Sequence, residues 1–217
     1  TVAVAEHALA LLMSLARKIP QLDLRVREGE WPGGQLTQLA GKTLGIVGTG
    51  AVGIRLARIA EGIGMSILTS SLSESNEISP ADQRPNWTEV GFSELLASAD
   101  AISVHARLTP KTRSMFGSYE FARMKPTALF VNTARGRLVD NMALTDALAN
   151  ETIAGAALDV FDNQPLDRNS LLAQLPNVIL SPHIASNTGE ALTVYDPYTN
   201  AANRTLAGTD LGVYHRD

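Results

Sequence analysis

Thr43-Leu44-Gly45-Ile46-Val47-Gly48-Thr49-Gly50-Ala51-Val52-Gly53 is the stretch whose reading decides the fold. Leu44 to Val47 is a short apolar run of the kind that forms a buried parallel strand. It leads straight into G-x-G-x-x-G, and Val52 to Ile63 then carries apolar residues at helical spacing. Strand, glycine turn and helix are the opening of a dinucleotide-binding unit. Gly48 allows the tight turn, Gly50 lets backbone approach a pyrophosphate, and Gly53 lets the helix pack close on the strand. The helix N-terminus offers unpaired N–H groups and a positive dipole end, and Ala51 and Val52 stand there.

Outward from this unit the chain alternates. A second buried strand covers 65–68, and a Ser-, Asn- and Pro-rich loop comes after it over 70–86. Further strands are expected at 101–105, 128–132, 153–160 and 178–180. Helices are expected at 92–97 with Ser93 as cap, 118–124, 142–149 with Asp140 as cap, and 171–175. A last helix, capped by Thr188 and interrupted by Pro197, is expected after residue 187. Alternating strands and helices mean an α/β fold with a doubly wound parallel sheet of Rossmann type. One dinucleotide-binding domain is expected over residues 1–217, with its core at 41–186 and a C-terminal helix and tail at 187–217. Before the core, residues 1–19 form an apolar helix that Pro20 should stop, and 21–40 read as a less regular connection. The apolar surface of that first helix is wide enough to need cover from another domain or a second subunit. A homodimer is therefore expected.

Composition narrows the function. The chain has 217 residues, 45% hydrophobic and 18% charged, enough to bury a real core. A net charge of −4 without a basic run argues against nucleic acid or an anionic membrane as partner. The longest apolar run, Ala8 to Met13, is too short to span a bilayer. With 0 cysteines there is no disulfide and no thiolate metal site, and no metal is expected; a cytoplasmic location fits. The chain starts at Thr1 inside a helical pattern, so a fragment or processed chain is expected.

In open parallel sheets, ligands bind beyond the carboxyl ends of the strands. The segments that come directly after the expected strands are Gly48 to Gly53, Ser71, His105 to Arg107, Asn132 to Gly136, Asp159 to Gln164, and Ser181 to His183. Singly, each has an ordinary reading: Arg135 a surface charge, Asp159 a turn residue, His183 a loop imidazole. Together, on one edge and beside a phosphate-type turn, they read as a site. The acidic residue that usually binds the adenosine ribose about 20 positions after the glycines is missing. Thr69-Ser70-Ser71 stand there, and the nearest carboxylate is Glu74. No lysine or arginine lies between Arg58 and Arg84 to mark a 2′-phosphate site, and Ser71 suits either cofactor. NAD is favoured, with NADP left open.

Five pieces carry a resemblance: Val4-Ala5-Glu6-His7-Ala8-Leu9, Gly45 to Gly50, Asn132-Thr133-Ala134-Arg135-Gly136-Arg137-Leu138-Val139-Asp140, Ala156 to Phe161, and Pro182-His183-Ile184. In these the chain resembles the D-isomer-specific 2-hydroxyacid dehydrogenases. The resemblance implies hydride exchange between a nicotinamide cofactor and a small 2-hydroxy or 2-keto acid. It makes Arg135 the binder of the substrate carboxylate and carbonyl, His183 the general acid/base, and Asp159 a partner of the nicotinamide side. Ala51, Val52, Ala106, Arg107, Thr112, Thr133 and Ala134 line the cofactor under the same resemblance. Gln164 stands where the family usually has an acid paired with the histidine, as it does in the formate dehydrogenases of the family. The resemblance also implies a substrate domain ahead of the first helix, and activity of the chain without it is not expected. A non-catalytic, corepressor-like NAD(H) sensor is the alternative, and turnover separates the two.

Overall fold

A computed structural model describes residues 1–71 and 87–189. The chain divides into two units, Thr1–Ala185 and Ser186–Asp217. All the helices and strands named below belong to the first.

Seven parallel strands form one sheet. They are β1 (Thr43–Val47), β2 (Ser66–Ser70), β3 (Trp87–Glu89), β4 (Ala101–Val104), β5 (Leu129–Asn132), β6 (Gly155–Leu158) and β7 (Val178–Leu180), in the order β3-β2-β1-β4-β5-β6-β7. The order reverses between β1 and β4, which opens a crevice above their carboxyl ends. Every position of β4, β5 and β6 is buried, as a parallel sheet covered on both faces requires.

The side chains alternate between two cores. Leu44, Ile46, Leu129, Val131 and Ala157 face the first, under α1 (Val2–Arg17) and α3 (Ala51–Gly62). Ile102, Val104, Phe130, Ala156 and Leu158 face the second, under α4 (Phe92–Ser98), α5 (Ser118–Arg123) and α6 (Asn141–Ala149). Phe116, Phe121 and Phe130 are wholly buried at the centre of the second core, with the Phe116 and Phe130 rings 5.0 Å apart and edge to face. Burial of rings of this size is worth about 1.5–3 kcal/mol each, so this cluster anchors the loop before α5 to the sheet.

The structure departs from the sequence reading in several places. Pro20 does not stop the first helix. Lys18, at φ 51, ends it, and Pro20 then sits in the first turn of α2 (Ile19–Arg27). A first-turn position needs no N–H, so proline starts that helix at little cost. Gly91, not Ser93, is the N-cap of α4. The edge strand β3 lies in a stretch too short and polar to declare itself. Asp140 does cap α6, accepting from the Met142 and Ala143 N–H groups at 2.9 and 3.1 Å. The cover for α1 is also different: Ala5, Ala8, Leu11, Leu12, Leu15 and Ala16 are buried within this same unit, against α3, β5 and β6. Exposed apolar side chains are found on α1 itself, at Val2 and Met13, and on or just beyond α2, at Ile19, Leu24, Val26 and Trp31, the last 91% exposed. The helix expected after residue 187, with Pro197, falls almost entirely outside the described residues, as does Glu74.

Candidate active site

The glycine turn leaves β1 with Gly48 at φ 98, its N–H donating to the Ser70 carbonyl at 3.0 Å. A side chain at Gly48 would meet the His105 carbonyl and the Ala106 nitrogen at 2.8 Å, so the turn lies flat on the end of β4. At Gly53 an added carbon would collide with the Gly48 carbonyl, which is the close helix–strand approach the motif implies. Gly50 differs, because nothing lies within 4 Å of where its Cβ would be. It is the N-cap of α3 in extended backbone, and no side chain caps that helix. The first-turn N–H groups of α3 therefore face an open cradle that a phosphate fits.

Across the crevice the post-strand loops are tightly tied. The Thr112 hydroxyl donates to the Arg107 carbonyl at 2.7 Å and accepts from the Thr109 N–H at 2.8 Å. Thr112 thus shapes the loop that carries Ala106 and Arg107. Below the turn, His105 pairs with the Ser103 hydroxyl at 2.9 Å, and burial pushes its imidazole down to about 4. It stays neutral at neutral pH and does not compete as a proton donor.

At the end of β5, the buried Asn132 side chain accepts from the Ala134 N–H and donates to the Arg135 carbonyl, both at 3.0 Å. This locks the turn that presents Arg135 to solvent. The guanidinium donates one N–H to the Ala134 carbonyl at 2.6 Å, leaving four of its five donors. Thr133 is 7% exposed, and its hydroxyl has no partner among the described residues. A buried orphan hydroxyl costs roughly 1–3 kcal/mol unless something outside the chain meets it. Together with the open cradle at Gly50, it is a feature that a bound dinucleotide satisfies.

Next to this turn, Gly136 packs directly on the backbone of Phe161 and Asp162, where no side chain would fit. Arg137 adds an ion pair to Asp162 at 2.6 Å. The Arg135 turn and the loop after β6 are therefore one assembly. That loop delivers Gln164, whose amide nitrogen donates to the Phe161 carbonyl at 3.2 Å. A carbonyl only accepts, so the nitrogen faces Phe161 and the oxygen faces His183, 2.9 Å from its Nδ1. Nδ1 must carry the hydrogen, which leaves Nε2 as the ring nitrogen without one in the neutral imidazole.

His183 is a non-glycine residue at φ 56. The loop is held there by Asp159, which is 0% exposed. One carboxylate oxygen accepts from the Ser181 hydroxyl at 2.6 Å and the Ile184 N–H at 3.1 Å; the other accepts from the Ala185 N–H at 3.0 Å. In this structure Asp159 binds the His183 loop, with one lone-pair position of its second oxygen left over. His7 of α1 reaches the same group, with Nε2 at 3.1 Å from the Ser181 hydroxyl and 3.4 Å from Asp159. Asn132, Gly136 and Ser181 lie in segments the sequence singles out, and His7 in one that carries the resemblance, but sequence pattern assigns none of the four a role. Only strand order brings them together. Ser71 comes directly after β2 and engages in an interaction of its own.

Residues 9–185 match the family described as D-isomer specific 2-hydroxyacid dehydrogenase, NAD binding domain. The chain is 44% identical over 200 residues to a glyoxylate reductase of Thermococcus litoralis, covering 88% of this chain and 59% of that protein. Among solved structures, it resembles D-lactate dehydrogenase of Aquifex aeolicus complexed with NAD and lactic acid (TM-score 0.81, 28% identity, 94% of this chain and 66% of the other). It also resembles an acyclic imino acid reductase in complex with NADPH and D-Arg (TM-score 0.80, 30% identity, 95% and 66%). The chain thus spans about three fifths of the glyoxylate reductase it matches.

Proposed function

Because the chain belongs to the D-isomer-specific 2-hydroxyacid dehydrogenase family, as an NAD-binding domain, we propose that it serves a reductase interconverting a 2-keto acid and its 2-hydroxy acid. Glyoxylate, named for the Thermococcus relative, is the first substrate to test. The single observation carrying the reading is the Gln164–His183 pair at 2.9 Å, joined through Phe161, Asp162 and Gly136 to the Arg135 turn. It sits on the same sheet edge as the glycine cradle.

Gly50, Ala51 and Val52 would hold the pyrophosphate, and Thr133 and Ala134 would line the nicotinamide half. When bound, the nicotinamide supplies or accepts the hydride. Arg135 holds the substrate carboxylate and carbonyl through parallel N–H donors, which orients the carbonyl carbon. His183 Nε2 gives a proton to the developing alkoxide in reduction and takes it back in oxidation. Gln164 fixes the imidazole by accepting from Nδ1–H. Asp159 acts on the loop of His183 and, with no exposure, presents no lone pair to a nicotinamide. We favour NAD over NADP, since no lysine or arginine lies between Arg58 and Arg84, and a cytoplasmic setting for a cysteine-free chain. Among the described residues, no helix is long and apolar enough to cross a membrane.

Gln164→Glu, made in the full-length protein that carries this domain, tests the proton-transfer role. It places a negative charge at hydrogen-bond distance from the imidazole. Both side chains are exposed, so a water-like dielectric applies and the attraction is on the order of 1 kcal/mol. The protonated form of His183 gains. The alkaline limb of reduction and the acid-side limb of oxidation both move to higher pH, by up to about one unit. Reduction above neutral pH speeds up and oxidation near neutral pH slows. Profiles that coincide with the wild type in both directions would remove His183 as the proton carrier.

Self-association is proposed through α2 and the segment after it rather than through α1. α2 has no buried residue, and Leu24 and Val26 on it and Trp31 beyond it are each exposed. Sedimentation at micromolar concentration should give a homodimer, and Leu24→Lys with Trp31→Lys should give a monomer. A wild-type monomer would end the proposal.

A further inference from the structure

We propose that His7 is a positioning residue for His183, acting through Ser181 and Asp159 from the far end of the sequence. The inference rests on the reading of His183 as the acid/base group. The Ser181 hydroxyl has one hydrogen and spends it on Asp159 at 2.6 Å. Towards His7, 3.1 Å away, Ser181 is therefore an acceptor, and His7 must present Nε2–H. The same N–H lies 3.4 Å from the Asp159 oxygen that already accepts from Ser181 and from the Ile184 backbone. With the Ala185 N–H on the second oxygen, three donors hold one carboxylate with no exposure, and the His7 ring that donates to Ser181 lies beside it.

A carboxylate so buried has no water to meet its oxygens and relies on donors from the chain. It also sets the geometry of residues 181–185, because its three donors all belong to that loop. His183, between them, sits at φ 56, a conformation a non-glycine residue holds only when its surroundings impose it. His7, which donates to Ser181, comes from outside the loop. It ties the loop to α1, which is itself packed on β5, β6 and β7. Removing it leaves Ser181 short of a donor at the point where the loop leaves β7. His183 then loses its fixed relation to Gln164, while the cradle at Gly50, on a different loop, is untouched.

The test uses three variants and two readouts. Gln carries an amide N–H at nearly the reach of histidine Nε2, whereas Leu fills the space without a donor. The first readout is the nitrogen-15 spectrum of His183 in the 217-residue chain. Wild type and His7→Gln should show a single Nδ1–H tautomer, and His7→Leu a mixture. The second is the split of kcat from NADH affinity in the full-length protein. His7→Leu should lower kcat about tenfold with NADH affinity within about twofold, and His7→Gln should recover most of it. Ser181→Ala should reproduce the Leu result, and adding His7→Leu to it should cost nothing more. This variant also decides the matter if His7→Leu does not fold. An unchanged His183 spectrum and kcat in His7→Leu or in Ser181→Ala would overturn the proposal. So would equal losses in the Gln and Leu variants, which would make His7 a packing residue only. The spectrum is read without substrate, so the coupling can fail while the catalytic reading stands. Conversely, full turnover by His183→Gln would sink the catalytic reading and leave the coupling to be judged by the spectrum.

Discussion

Arg135→Met in the full-length protein is expected to lower kcat/KM for a 2-keto acid by about 10²–10⁴-fold while leaving NADH affinity within about threefold. Hydrogen bonds to a charged partner contribute about 1.5–3 kcal/mol each, and the variant removes two from the substrate, at about 1.4 kcal/mol per factor of ten. The guanidinium has the donors to spare, because only one is committed, to the Ala134 carbonyl. Asn132 fixes the backbone on both sides of Ala134 and leaves the Arg135 side chain exposed to the cleft. Arg135→Lys should fall between, since an ammonium supplies charge without the planar fork. Steady-state kinetics with fluorescence titration of NADH reads both quantities. Equal loss of NADH affinity would reassign Arg135 to the cofactor, and undiminished turnover would remove it from the site.

Gly50 and Gly53 are expected to answer the same substitution in opposite ways. At Gly50 the backbone has φ −74 and ψ 179, which alanine adopts freely, and nothing lies within 4 Å of the added carbon. Gly50→Ala should therefore fold with little change in Tm, since the restriction of the unfolded chain, about 0.4–1 kcal/mol, is offset by alanine being a poorer N-cap than glycine. Its methyl would occupy the pyrophosphate cradle, and NADH affinity should fall at least about tenfold, the scale of one lost charged hydrogen bond. At Gly53 the added carbon collides with the Gly48 carbonyl, so helix and turn must separate. Crowding of this kind costs about 1–3 kcal/mol, a Tm loss on the order of 5 °C for a domain this size. Binding should fall with it. Thermal melts and calorimetry on the two variants separate these outcomes. A destabilised Gly50→Ala, or one that binds NADH as the wild type does, would mean that the open space at Gly50 is not the phosphate site.

The parts of the fold legible in the sequence are those whose cause is local. The apolar run at Leu44 to Val47, the glycines after it and the Asp140 cap each depend on neighbours within a few positions, and each stands where expected. Elements set by packing were harder. Pro20 looks like a stop because proline breaks helix interiors, yet the chain had already turned at Lys18. The broad apolar surface of α1 suggests a partner, but the sheet of the same unit covers it. The three-residue β3 owes its place to pairing with β2, and has no pattern of its own. At the site, the candidate residues came from one rule about strand ends. The Gln164–His183 contact at 2.9 Å came to notice only through family resemblance. The meeting of His7, Ser181 and Asp159 spans up to 174 positions of sequence. No spacing rule reaches that far, and a lone histidine on a helix carries no mark of it.

Every role proposed for the site depends on a nicotinamide dinucleotide bound above the glycine turn, and the most direct measurement is calorimetric titration of the 217-residue chain with NADH and NADPH in parallel. The predicted result is saturable binding of NADH at one site per chain, weaker heat with NADPH, and loss of the NADH signal in Gly50→Ala without loss of fold. Tighter binding of NADPH would reverse the cofactor assignment at Ser71, and no heat with either nucleotide would contradict the dinucleotide site as a whole.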